Sequence, residues 1–286
     1  MAIMKRILMK ISLVTGIVLL LWIVFAQSCM TFRKADTEAI TQFKKNGVDI
    51  SFNTITVNGR QLHYAQTGDN KLPTIVFVHG TPGSWDAFEG YLKDTELLQK
   101  FRLIAIDRPG FGHSNFGQAL NLTQQSLVIS PLFNHIKNDA PVYLVGHSLG
   151  GPMICRLAAD NPGLFAGLII LAGSQDPAAE KPEKWRPVLY KSPLKYLVPG
   201  ALRPSNEELW YLKQDLVDLS SDLSKITCPV FLLHGTKDVL VPFSNLAYTE
   251  SKLVNASKKE RIVFENENHF IPWTRFKEIK ALLLKL

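Results

Sequence analysis

Cysteine is scarce in this sequence. Three occur in 286 residues, Cys29, Cys155 and Cys228, too few for a disulfide framework. Cys155 and Cys228 read as buried free thiols, because nothing in the sequence brings them together. No closely spaced histidine and cysteine group forms a zinc ligand set, so no metal is expected. A phosphate-binding Gly-Lys-Ser/Thr string is missing. Gly110 and Gly112 begin a dinucleotide-like fingerprint, but Asn115 stands where its third glycine belongs. The chain is therefore expected to work without a cofactor. Internal repeats and low-complexity tracts are lacking too, and 46% hydrophobic with 20% charged residues is the composition of a folded protein.

Acidic residues are missing from residues 1–34, which carry Lys5, Arg6, Lys10, Arg33 and Lys34. Most of the net charge of +7 therefore lies at this end. The remainder, with 27 basic and 25 acidic side chains, is nearly neutral and has no nucleic-acid footprint. From Ile11 to Phe32 there is no charge at all. At about 1.5 Å per helical residue this run is just long enough for a hydrocarbon core of about 30 Å. The basic flank predicts a cytoplasmic N-terminus and a catalytic or binding body on the extracytoplasmic side, in the periplasm or at the cell surface. Three fates fit: a retained signal anchor, a cleaved secretory signal, or a lipoprotein signal acylated on Cys29 of Ala26-Gln-Ser-Cys29. A buried core helix explains the flanking charges poorly. Residues 1–34 thus read as a membrane anchor or lipoprotein-type signal, 35–50 as a polar linker and 51–286 as the folded domain.

In that domain, Phe52–Val57 and Arg60–Ala65 flank Asn58-Gly59, a strong hairpin signal. Apolar strand runs follow at 74–78, 101–106, 142–145, 166–171, 230–233 and 261–264. Helical stretches are expected at 85–99, 123–137, 153–159, 245–254 and from about Pro272. Alternating strands and helices predict an α/β fold, a mostly parallel central sheet covered by helices on both faces. The span 173–227 breaks the alternation: it has no convincing strand, six prolines and a helix near 206–217. It reads as a helical cap inserted above the carboxyl ends of the strands, where ligands bind in such sheets.

The chemistry points to Gly146-His-Ser-Leu-Gly150. A serine on a sharp strand-to-helix turn, with glycines two residues before and after, is the nucleophile-elbow pattern. The bland alternative is a structural serine at a helix start. Three further motifs accompany it in order: His79-Gly-Thr-Pro, Asp107-Arg-Pro-Gly-Phe-Gly-His-Ser114, and His234-Gly-Thr-Lys-Asp238 followed by Val241-Pro242. On these four motifs the chain from about Phe52 onward resembles the α/β-hydrolase fold family, in its serine-nucleophile, esterase- or lipase-like branch with a short cap.

The resemblance implies a triad in the chain order serine, acid, histidine. Ser148 would be the nucleophile and His269 the base. Asp238 would be the acid, with Asp176 its rival and Asp107 an anchor for the loop that follows it. The backbone N–H groups of Thr81 and Leu149 would form the oxyanion hole. His79, His113, His147 and His234 read as loop-shaping, His63 and His135 as incidental. For the substrate pocket the candidates are His147 beside the nucleophile and Trp185, Tyr190 and Trp210 of the cap, though cap aromatics more often pack the cap onto the body. Relatives that open epoxides or remove halide usually carry aspartate at the elbow, so a serine implies hydrolysis of a small-molecule carboxylic ester through an acyl-enzyme. A basic cap beside a membrane suits lipid-like esters. A peptidase, a thioesterase, a lyase or a catalytically silent ligand-binding member are the alternatives.

Overall fold

The computed structural model describes residues 2–286. Helix α1 (Ala2–Ser28) is long and apolar enough to cross a membrane; most of its side chains are exposed, while Trp22, Ala26 and Gln27 near its end meet the body. The stretch read as a polar linker contains a helix, α2 (Asp36–Lys45). Its Ala39 and Phe43, four residues apart and so on one face, are fully buried. Phe43 packs against the ring of Trp85 at 6.2 Å. Residues 36–45 are thus part of the domain and not a tether.

The hairpin forms as β1 (Ile50–Val57) and β2 (Arg60–Thr67), with Asn58 and Gly59 at positive φ in its turn. Next come β3 (Thr74–Val78), a 3-10 turn, short helices α3 (Glu89–Leu92) and α4 (Thr95–Leu98), and β4 (Arg102–Ile106). The single helix expected over 85–99 is broken because the Asp94 carboxylate caps α4, accepting from the N–H groups of Glu96 and Leu97. Then follow α5 (Leu122–His135), β5 (Val142–His147), α6 (Gly150–Asp160) and β6 (Gly167–Leu171). The insertion holds α7 (Arg186–Tyr190), a 3-10 turn at Pro193–Leu197 and the long α8 (Leu202–Asp222), with no strand. Finally β7 (Val230–Gly235), α9 (Ser244–Lys252), β8 (Lys259–Phe264), α10 (Ile271–Thr274) and α11 (Phe276–Leu283) complete the chain.

The eight strands make one sheet in the order β1-β2-β4-β3-β5-β6-β7-β8. The β1–β2 and β2–β4 pairs are antiparallel, and every other pair is parallel. Side-chain alternation divides the core. Val76, Ile104, Leu144 and Ile170 face α5, α6 and α8, whereas Ile75, Phe77, Val145 and Ile169 face α2, α3, α10 and α11. Parallel strands buried on both faces explain why their sequences read as unbroken apolar runs. This architecture collects the carboxyl ends of β3, β5, β7 and β8 along one rim, beneath the insertion.

Candidate active site

Ser148 directly follows β5 and has φ of 55°, a left-handed conformation that costs a non-glycine residue about 1 kcal/mol or more. Two glycines make that turn possible. A Cβ on Gly146 would lie 2.2 Å from the Gly150 carbonyl oxygen, and one on Gly150 would lie 2.1 Å from that of Val78. The turn is further held by Ser148 N–H donating to the Leu171 carbonyl at 2.9 Å.

The imidazole of His269, on the loop after β8, lines the same cavity as Ser148. Its Nδ1–H donates to Asp238 Oδ2 at 2.7 Å. Asp238 sits on the turn after β7, where its Oδ1 accepts the N–H groups of Leu240 and Val241 at 2.9 and 2.8 Å. Burial by itself raises the Asp238 pKa, but hydrogen bonds from His234, His269 and Val241 outweigh it and hold the carboxyl well below the usual range. Asp176, the rival acid, instead accepts from the Ala178 N–H at 2.8 Å. Asp107 is a loop anchor: its oxygens take the N–H groups of Trp85 and His113, both at 2.8 Å. Its second partner at Oδ2 is buried His63, at 2.8 Å, so that histidine is a structural element and not incidental.

His147 lies against His269, its Nε2–H donating to the His269 carbonyl at 3.0 Å. Desolvation, with His269 nearby, drives its pKa down to about 3, so it stays neutral. The N–H groups of Thr81 and Leu149 belong to residues that line the cavity beside Ser148, and among the described residues neither is bonded to a backbone or side-chain acceptor. The Thr81 loop is braced from below. Buried Arg108 donates to the carbonyls of His79 and Gly80 at 2.8 and 2.9 Å, and forms a bidentate pair with Glu208 of α8. Neither Arg108 nor Glu208 was evident as a site-supporting residue from sequence; the signal, a charge pair 100 positions apart, has no local mark.

The cavity has a volume of about 580 Å³. His147 lines it, but Trp185, Tyr190 and Trp210 do not. Those three expectations are corrected. On α8 it is Leu209 and Leu212, three apart, that face the cavity, and Trp210 is turned about 100° round the helix from Leu209. Trp185 is 49% exposed with Arg186 stacked over its ring, and Tyr190 packs on Tyr211. The aromatic lining comes instead from Phe32, Phe270 and Trp273. Phe270 and Trp273 could have been found from their closeness to His269. Among the described residues, no group of three or more His, Cys, Asp or Glu is placed to hold a metal.

A family profile for the alpha/beta hydrolase fold matches residues 73–197, the stretch holding the Thr81 loop and the elbow. The chain has the α/β-hydrolase fold. Among relatives of this hydrolase-fold chain, the hydrolase YugF of Bacillus subtilis is 31% identical over 42% of this chain, a match spanning only 43% of that protein. The pimeloyl-[acyl-carrier protein] methyl ester esterase of Vibrio vulnificus is 27% identical, over 73% of this chain and 91% of its own. Epoxide hydrolase 3 of Xenopus tropicalis also matches, at 25% identity over 48% of its length. A crystal structure described as a membrane phospholipase A superposes with a TM-score of 0.61 at 19% identity, covering 98% of both chains. That likeness is one of fold.

Proposed function

We propose that the protein is a membrane-attached serine hydrolase that cleaves carboxylic esters through an acyl-enzyme. The observation that carries this reading is the Asp238–His269 hydrogen bond of 2.7 Å opening onto the cavity that holds the elbow serine. Ser148 and His269 line the same cavity, and attack requires the Ser148 hydroxyl to hydrogen-bond to His269 Nε2. Such contacts commonly tighten only in the reacting complex. His269 takes the Ser148 proton as Oγ bonds to the ester carbonyl carbon. The N–H groups of Thr81 and Leu149 stabilise the oxyanion, each contributing about 3 kcal/mol to the transition state. Collapse breaks the C–O bond, and His269 returns the proton to the departing alcohol. A water, deprotonated by the same imidazole, then releases the acid. Asp238, held ionised, fixes the imidazole tautomer and stabilises its cation. A hydroxyl nucleophile favours this acyl transfer over the epoxide opening named for some relatives.

We further propose that α1 is retained. Trp22 Nε1 and Gln27 Nε2 donate to the carbonyls of Leu197 and Tyr196 at 3.0 and 2.8 Å, contacts that cleavage before Cys29 would remove. Lys5, Arg6 and Lys10 would keep the N-terminus cytoplasmic. The mass of the protein purified from membranes separates this from the cleaved and lipidated forms.

The hydrolase reading is tested with the full chain in detergent micelles. Fluorophosphonate is mapped by mass spectrometry, alongside turnover of a p-nitrophenyl ester series. Label on Ser148, absent in Ser148→Ala, is the expected result. A folded sample with neither label nor turnover overturns it and leaves a ligand-binding member of the fold.

A further inference from the structure

The segment that joins the membrane helix to the domain enters the cavity. Phe32 lines it together with residues of the body and the cap, among them Ser148, Leu209 and Trp273. A chain leaving a membrane anchor is ordinarily a solvated tether; this one is fastened on both sides of Phe32. Before it, the carbonyls of Ala26 and Met30 accept the N–H groups of Gly200 and Ala201 at 2.7 and 2.8 Å. After it, the Lys34 carbonyl accepts from His113 Nε2 at 3.0 Å, and Lys34 Nζ pairs with Glu89 at 2.9 Å. Gln27 adds a side-chain link, accepting from Arg203 at 2.6 Å. Between these points Met30 and Phe32 both take positive φ, 53° and 48°, which turns the chain back toward the cavity. Two such residues in three positions are strained and persist only where the surroundings impose them. The cap is shaped to receive the segment. Gly200 has φ of 41°, and a Cβ there would lie 2.3 Å from the carbonyl oxygens of both Cys29 and Met30.

We propose that residues 29–34 form a wall of the substrate pocket and that Phe32 is a specificity-determining residue, contacting the apolar chain of the ester. The inference rests on the hydrolase reading and narrows it to esters with a long hydrocarbon chain. Phe32, Leu209, Leu212, Phe270 and Trp273 give the cavity that holds Ser148 an apolar lining, and Phe32 belongs to the segment that follows α1. An ester bound there has its acyl carbonyl at Ser148 and its chain against the anchor. The anchor is then part of the enzyme's specificity and not only its address.

The test uses the full chain in detergent micelles, comparing wild type with Phe32→Ala, Phe32→Leu and Gly200→Ala. Phe32 is 41% exposed, so removing its ring leaves the core intact. The readout is the ratio of kcat/KM for p-nitrophenyl laurate to that for the acetate. Loss of one apolar wall contact lowers that ratio by about tenfold or more in Phe32→Ala, chiefly through KM, with partial recovery in Phe32→Leu. Gly200→Ala, which pushes the segment off the cap, moves the ratio the same way. An unchanged ratio in both Phe32→Ala and Gly200→Ala, with Ser148 still labelled by fluorophosphonate, overturns the proposal while leaving the hydrolase reading standing. Should wild type show no label, the hydrolase reading falls on its own. The wall is then judged by photolysis of Phe32→p-benzoylphenylalanine with a long-chain alkyl ether lipid. A crosslink supports it, and none overturns it.

Discussion

Replacing Glu208 by glutamine removes one charge from the interior and should be felt at the Thr81 loop. Arg108 is fully buried and the Glu208 side chain is 2% exposed. The guanidinium uses its whole fork: Nε to the His79 carbonyl at 2.8 Å, and Nη1 to Gln125 at 3.1 Å and Glu208 at 2.8 Å. Nη2 goes to the Gly80 carbonyl at 2.9 Å and to the other Glu208 oxygen at 3.0 Å. Arginine does not lose its proton in proteins, so Glu208→Gln leaves a buried cation without its counter-ion. Breaking such a pair costs about 3–5 kcal/mol. Glutamine keeps one acceptor oxygen, which sets the expectation at the low end, about 3 kcal/mol. For a domain of this size that is a fall in Tm of about 6–12 °C. Because the same guanidinium holds the His79 and Gly80 carbonyls, the Thr81 N–H loses definition and ester turnover falls with stability. Circular dichroism melts of the full chain, with urea midpoints, measure the first effect and p-nitrophenyl ester kinetics the second. Arg108→Met in the Glu208→Gln background should cost less than in wild type, by about 1–3 kcal/mol. The double replacement Arg108→Met/Glu208→Leu should still fall short of wild type, since the two loop carbonyls lose their donors. A Glu208→Gln protein within 1 kcal/mol of wild type, or equal costs of Arg108→Met in both backgrounds, would refute the reasoning.

Asp238→Asn keeps a partner for His269 but presents the wrong tautomer to the serine, so kcat should drop by about 10³–10⁴ with KM nearly constant; steady-state kinetics on the butyrate ester decide it. Gly146→Ala places a methyl 2.2 Å from the Gly150 carbonyl oxygen, a backbone atom that cannot step aside. It should lose about 1–3 kcal/mol or fail to fold, with the elbow disrupted and Ser148 labelling lost. Asp215, in α8, has its pKa raised to about 7 by burial first and by Asp218 and Glu208 next, against the Leu122 N–H that lowers it. A carboxyl raised in the folded state binds its proton more tightly there than when unfolded. Stability is therefore penalised as pH climbs from about 4 to about 7, and the penalty stays constant above that. Asp215→Asn should gain stability over wild type across that window, reaching its full advantage above pH 7 and none below pH 4; urea midpoints against pH report the difference.

What could be read in advance is what local sequence encodes. Thr74–Val78 is apolar because both faces of β3 are covered, and Asn58-Gly59 supplies two positive φ values where the hairpin needs them. Ser148, Asp238 and His269 each sit just past the carboxyl end of a strand, so short motifs carry their positions even though the chain brings them together from three places. Asp238 is the preferred acid on the sequence, but Asp176 also follows a strand and stays its rival there. Only the fold shows that one carboxylate meets the imidazole while the other turns to the Ala178 N–H. The walls of the cavity have no such local mark. Trp210 looked like lining and Leu209 did not, yet one step along a helix rotates a side chain by about 100°, and the register of α8 on the body decides which faces inward. The stretch of α2 is largely polar and reads as a linker, and the burial of Phe43 depends on Trp85 reaching it from another element. Phe32, at the end of the apolar run, reads as part of an anchor because its hydrophobicity fits a bilayer as well as a pocket. That double fit is the point. An apolar residue just past a long apolar helix satisfies either surrounding, and here the clamps at Gly200 and His113 hold it in the second.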